Sequence, residues 1–129
     1  MDPVVHFEMP AEDKKRVADF YTNVFGWKMT QLGSEMGDYL LATTSPMDEN
    51  NMHMNKGAIN GGFYKKGESG TIPHVVIAVK NLQESMNKVS ASGGQVLGEP
   101  MNIPNIGMFV MFQDTEGNKV GMLQPSEKM

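Results

Sequence analysis

The sequence predicts an α+β fold of two βαβββ modules, forming a cupped, mainly antiparallel eight-stranded sheet with both helices on the outer face. Three observations carry this. Short alternating apolar runs recur along the chain. Two stretches place apolar residues at helical spacing. The order of these signals then repeats, because a shift of 68 residues carries His6 onto His74, Asp13 onto Asn81, Gly26 onto Gly94 and Met29 onto Leu97. Few other side chains match, so architecture is repeated more than sequence.

Val4–Met9 alternates between Pro3 and Pro10 and reads as a strand. Asp13 is placed to cap a helix whose apolar stripe is Val17, Phe20, Tyr21, Val24 and Phe25, with Gly26 as its stop. Trp27–Leu32 and Tyr39–Thr44 follow as strands joined through Gly33–Asp38. Ser45–Gly57 is a polar loop, and Ala58–Tyr64 is a fourth strand weakened by Gly61 and Gly62. Lys65–Thr71 reads as a linker. In the second half His74–Val79 is an apolar strand, and Asn81 with Glu84 forms a capping pattern. Leu82, Met86 and Val89 give the buried side of a helix ending at Gly93–Gly94. Gln95–Pro100, Met108–Gln113 and Lys119–Gln124 are the last strands, with a hairpin turn at Asp114–Asn118. The chain is thus expected to be one domain, 1–129, with modules of about 1–66 and 71–129.

Composition narrows the function classes. The chain has 129 residues, no cysteine and a formal net charge of −4. Disulfides, zinc-thiolate sites and cysteine nucleophiles are excluded. No basic patch is visible for a nucleic-acid partner, since Lys14, Lys15 and Arg16 sit at a helix start. No apolar stretch reaches membrane-spanning length and no signal peptide is seen, so a cytoplasmic protein is expected. The 13 methionines suit either a loosely optimised core or a pocket that adapts to varied apolar ligands.

Alternation along strands locates the expected site. With Val5, Phe7 and Met9 under the first helix, His6 and Glu8 face the concave side. With Val75, Ile77 and Val79 under the second, His74, Val76 and Ala78 face it too. Imidazole is both a common metal ligand and a proton-transfer group near neutral pH. Three readings stay open for the histidines: a metal site, an unmetallated polar pocket, or hydrogen-bonded strand residues.

Other features carry less. Met52-His53-Met54 combines soft donors but lies in a polar loop. Asn60–Gly62 is followed by no helix start, so it reads as a strand kink or a close approach of backbone to a ligand rather than a phosphate cradle. Trp27 and Tyr39 can line the cup, although plain packing explains aromatics at strand starts. Nothing marks a Ser-His-Asp arrangement.

His6-Phe7-Glu8-Met9, the segment Asp19-Phe20-Tyr21-Thr22-Asn23-Val24-Phe25-Gly26-Trp27, Gly93-Gly94 and Asp114-Thr115-Glu116-Gly117-Asn118 together resemble the vicinal oxygen chelate superfamily. That group includes glyoxalase I, extradiol dioxygenases, fosfomycin-resistance enzymes and bleomycin-resistance proteins. The resemblance implies paired βαβββ modules. In metal-dependent members it implies ligands in the first, fourth, fifth and eighth strands. His6 and His74 match the first and third of these. The fourth-strand position falls near Asn60–Gly62, without a carboxylate, and the eighth-strand position falls on Gly121, which cannot ligate or act as a base.

Two functions are therefore expected from the resemblance. One is a protein that binds a small organic molecule around His6, Glu8, His74 and Gly121 without the full metal set of glyoxalase I. The other is a divalent-metal lyase, isomerase or oxygenase using zinc, nickel, manganese or iron. There His6, His74 and Glu8 would be ligands, and Glu8 is the candidate catalytic group. Authentic glyoxalase I is not expected, because Gly121 stands where the carboxylate is needed. An interaction module using open sheet edges is a third possibility. The resemblance also implies a possible homodimer. Ligand identity depends on the Ser45–Gly57 and Met101–Ile106 loops, and sequence does not give it.

Overall fold

A computed structural model describes residues 1–67 and 70–126. The chain divides into two compact units, His6–Pro73 and a second made of Met1–Val5 with the chain from His74 onward. Each unit carries one α-helix and a four-stranded mixed sheet.

In the first unit the strands are β1 (Val4–Ala11, from His6 on), β2 (Lys28–Gln31), β3 (Leu40–Thr43) and β4 (Asn60–Lys65), in the order β2-β3-β4-β1. β1 and β4 are parallel, and the other pairs are antiparallel. The helix α1 (Lys14–Phe25) begins where the Asp13 carboxylate accepts from the Arg16 N–H, and it ends at Gly26 in the left-handed conformation, φ 76°. Its inner side packs Val17, Ala18 and Tyr21 on the buried Ala11, Leu40, Ala42 and Phe63, with Phe7, Met9, Trp27 and Met29 around them. Tyr21 stacks on Trp27 at 4.7 Å between ring centroids.

The second unit repeats the plan. β5 (His74–Ala78), β6 (Gln95–Ile103), β7 (Gly107–Gln113) and β8 (Lys119–Pro125) lie in the order β5-β8-β7-β6. Here β5 and β8 are the parallel pair. The helix α2 (Leu82–Ala91) starts with the Asn81 side chain accepting from Glu84 N–H, and Leu82, Met86 and Val89 pack on Val79, Val110 and Met122. At the N-terminus, Ala78 N–H donates to Pro3 C=O at 2.9 Å, which ties the first residues to β5.

Among the described residues the eight strands and both helices form near where the sequence places them, with five differences. Of the expected α1 stripe, Phe20, Val24 and Phe25 are exposed, because Val17, Ala18 and Tyr21 make the side that packs on the sheet. Val5 and Val75 do not lie under the helices but are 37% and 39% exposed, because the helices cover only the later residues of β1 and β5. The left-handed glycine after α2 is Gly93, φ 98°, rather than Gly94, because α2 ends at Ala91 and Ser92 stands between it and the turn. β6 runs on to Ile103, so Met101–Ile103 are strand and not loop. In the expected linker Lys65–Thr71, Lys65 ends β4, and Glu68 and Ser69 lie outside the described residues.

Candidate functional site

The first unit builds its polar cluster from strand alternation. Phe7, Met9 and Ala11 of β1 join the core under α1, so His6 and Glu8 point to the opposite face of the sheet. On that face Glu8 stands beside Gly62 of β4, and Gly62 stands beside Leu41 of β3. Tyr39, two residues before Leu41, lays its ring over Gly62. A Cβ on Gly62 would lie 2.0 Å from that ring, so only glycine leaves the space. Gly61 does the same on the core face, where a Cβ would lie 2.3 Å from the Phe7 ring. The Gly61-Gly62 pair thus admits two of the protein's own aromatic rings, where the sequence had suggested a kink or a ligand.

The Tyr39 hydroxyl links the two candidate side chains. It donates to Glu8 Oε2 at 2.9 Å and lies 2.9 Å from His6 Nε2. A phenol has one proton. With that proton directed at Glu8 Oε2, the imidazole must donate from Nε2 to the tyrosine oxygen. The His6 and Tyr39 rings are also near parallel, 24° apart. Burial, then the Glu8 charge, then the hydrogen bond to Glu8 push the Tyr39 hydroxyl well above the ordinary phenol range, so it stays a neutral donor. Tyr64, one turn of alternation further along β4, is raised in the same direction by burial and by Glu8, and its hydroxyl donates to Ile72 C=O at 2.9 Å.

The backbone around Tyr39 is held from several sides. Leu32 N–H donates to Tyr39 C=O at 2.9 Å. Gln31 Nε2 reaches Asp38 C=O at 2.7 Å and Tyr39 C=O at 3.3 Å. Lys14 Nζ also donates to Asp38 C=O. Asp38 itself sits at φ 56°, a left-handed conformation that aspartate tolerates better than most residues.

The loop after β3 is self-contained. Ser45 Oγ and His53 Nδ1 are 2.6 Å apart, and Asp48 Oδ1 accepts from Asn50 and Met52 N–H. Met52 and Met54 point outward, 63% and 66% exposed, while His53 is half-buried. The Met-His-Met run therefore does not converge on one point. Asn60 anchors the loop's first residue by accepting from Thr44 N–H at 3.0 Å.

The second unit repeats the glycine arrangement without the carboxylate and the hydroxyl. Gly121 of β8 stands beside Val76 of β5 and Met111 of β7. Phe109, two residues before Met111, covers it. A Cβ on Gly121 would lie 2.7 Å from the Phe109 ring and 3.3 Å from Val76 Cγ2. His74 is half-buried at the start of β5.

This geometry does not suit the four-donor metal set that the resemblance implied. The two carboxylate positions are glycines filled by aromatic rings. His6 and Glu8 are bridged by a phenol oxygen. Among the described residues no three His, Asp or Glu side chains converge as a metal-holding group. The sheet edges are also poor templates for strand addition. β2 has four residues, and β6 is interrupted by a register shift between Leu97 and Met101 that contains Pro100.

A family model described as Glyoxalase/Bleomycin resistance protein/Dioxygenase superfamily matches residues 4–122. The chain belongs to this superfamily. A glyoxylase-like domain-containing protein of Didymella fabae is 30% identical over 114 residues, covering 86% of this chain and 84% of that protein. The Mycobacterium tuberculosis protein CFP32, named for glyoxylase, is 38% identical over 53 residues, which is 41% of this chain but only 20% of that longer protein. Among solved structures, methylmalonyl-CoA epimerase from M. tuberculosis superposes with a TM-score of 0.69 at 12% identity over 97% of this chain and 89% of that one. A Bacillus halodurans protein gives 0.68 at 16% identity over 99% and 97%. At such identities these superpositions establish the shared glyoxalase-type fold and nothing about substrate. No helix among the described residues is long and apolar enough to cross a membrane.

Proposed function

We propose that this superfamily member binds a small organic molecule through His6, Glu8 and His74, without the metal set of glyoxalase I. The observation that carries the reading is the Tyr39 hydroxyl between His6 Nε2 and Glu8 Oε2. It already satisfies an imidazole and a carboxylate that a metal site would need, and it leaves a polar hydrogen-bonding surface suited to an organic ligand. The glycine at 121, covered by Phe109, supports the same reading from the second module. His74 enters through its equivalence to His6, and Gly121 through the wall it allows Phe109 to form. Glu8 is the group we assign to any proton transfer. Cytoplasmic location and homodimerisation remain parts of this reading.

Elemental analysis of protein purified without chelator or affinity tag tests the metal half. The expected result is no stoichiometric zinc, nickel, manganese or iron. Bound metal lost in both His6→Ala and His74→Ala would instead establish the metal-dependent lyase, isomerase or oxygenase. Thermal-shift screening against small organic acids, aromatic ligands and acyl-CoA esters tests the ligand half. Methylmalonyl-CoA belongs in that set because one structural neighbour of this fold holds it. A ligand whose stabilisation disappears in Glu8→Gln supports the reading. Stabilisation that survives Glu8→Gln and both histidine variants places binding elsewhere and defeats it.

A further inference from the structure

We propose that Tyr39 is the residue that sets the chemistry of this site. Seated on Gly62, its hydroxyl stands between His6 and Glu8, fixes the imidazole as the Nε2–H tautomer and keeps the pair from ligating a divalent cation together. This rests on the metal-free reading above and adds the residue responsible for it.

The geometry argues for a specific device rather than chance packing. The Tyr39 oxygen lies 2.9 Å from both His6 Nε2 and Glu8 Oε2. A cation bridging imidazole and carboxylate needs both donors at about 2.0–2.2 Å with lone pairs directed at it. A phenol at the vertex keeps them further away. It also places a proton on each line of approach, one from Nε2–H and one from its own hydroxyl. The ring cannot easily swing aside, because Gly62 gives it a fitted seat and Gln31 and Leu32 hold its backbone. Phe109 on Gly121 supplies an internal control. It has the same placement in the other module but no hydroxyl, and Val76 stands where Glu8 would be.

Tyr39→Phe keeps the ring on Gly62 and removes only the hydroxyl. Nitrogen-15 NMR of the imidazoles in the wild-type protein is expected to show His6 as Nε2–H. In Tyr39→Phe that restraint is expected to vanish, and affinity for added nickel or zinc to rise at least tenfold. Tyr39→Phe with His6→Ala should return to the wild-type affinity, and Phe109→Ala should leave the His6 spectrum unchanged. A wild-type His6 in the Nδ1–H form overturns the proposal without any variant. So does a folded Tyr39→Phe protein whose His6 spectrum is unaltered, or whose metal affinity stays within twofold of wild type. Stoichiometric metal in the wild-type protein as purified would defeat the metal-free reading itself. A metal-free wild type with an unresponsive Tyr39→Phe defeats only the role of Tyr39.

Discussion

Position for position, the two modules share a glycine and an aromatic ring, yet only one of them carries charge there. Gly62 beside Glu8 is covered by Tyr39, and Gly121 beside Val76 is covered by Phe109. The backbone solution is the same in both: a glycine in the strand parallel to the module's first strand, and an aromatic two residues before the facing position on the next strand. The chemistry differs by one hydroxyl and one carboxylate. The repeated architecture fixes where a ring can lie. Which atoms the ring presents is left to individual residues, and that choice separates a polar site from an apolar wall.

The comparison can be broken most forcefully at the glycines. Gly62→Ala puts a methyl 2.0 Å from the Tyr39 ring and forces it off both hydrogen bonds. We expect a loss of about 3 kcal/mol by urea denaturation, at the upper end for overpacking. Gly121→Ala meets Phe109 at 2.7 Å, a milder conflict, and about 2 kcal/mol is expected. Equal costs, or a larger cost at Gly121, would show that the two seats are not filled as described.

The hydroxyl sharpens the comparison next. Tyr39→Phe removes one donor to a carboxylate and one acceptor from an imidazole, so a loss of about 1 kcal/mol at neutral pH is expected. Its pH dependence has a definite sign. The folded protein holds the Tyr39 phenol above its ordinary value of about 10. The folded state therefore retains a proton that the unfolded chain gives up. The stability this contributes is fully present below about pH 10 and declines as pH rises beyond it. Thermal unfolding across pH 8 to 11.5 is expected to fall less steeply above about pH 10 in Tyr39→Phe than in wild type. Parallel curves would remove Tyr39 from the account of alkaline stability.

The smallest effects lie at the helix starts, where the modules should behave alike. Asp13 and Asn81 each accept from the N–H three residues on, both at 2.9 Å. Asp13→Ala and Asn81→Ala are each expected to cost about 0.5–1 kcal/mol. A difference between them greater than their common value would show that one helix is held mainly by its cap and the other by its packing.

Much of the fold was legible because local rules act at short range. Caps, the Gly26 stop and apolar periodicity located α1 and α2, and alternation correctly sent Phe7 and Met9 to one face and His6 and Glu8 to the other. Val5 and Val75 were misplaced because alternation says which face a residue takes but not how far the helix reaches. The end of β6 was missed because the expected strand stopped at Pro100, whereas a register shift between Leu97 and Met101 lets pairing resume at Met101. Tyr39 was weighed and set aside as packing. Its signal lay in Gly62, since a glycine in a strand leaves room for an aromatic from the neighbouring strand, but that pairing depends on a register which sequence does not print.

The sequence by itself determined the repeat and the strand faces, because these depend on residue type and on periods of two and 3.6, while the family resemblance implied a carboxylate where Gly121 stands. Only the tertiary structure decided what fills the places of the missing side chains. Tyr39 and Glu8 are 31 residues apart in the chain and meet only through the β1·β4·β3 register. Contacts of that range are set by strand pairing and by the exclusion of every side chain but glycine beneath the ring.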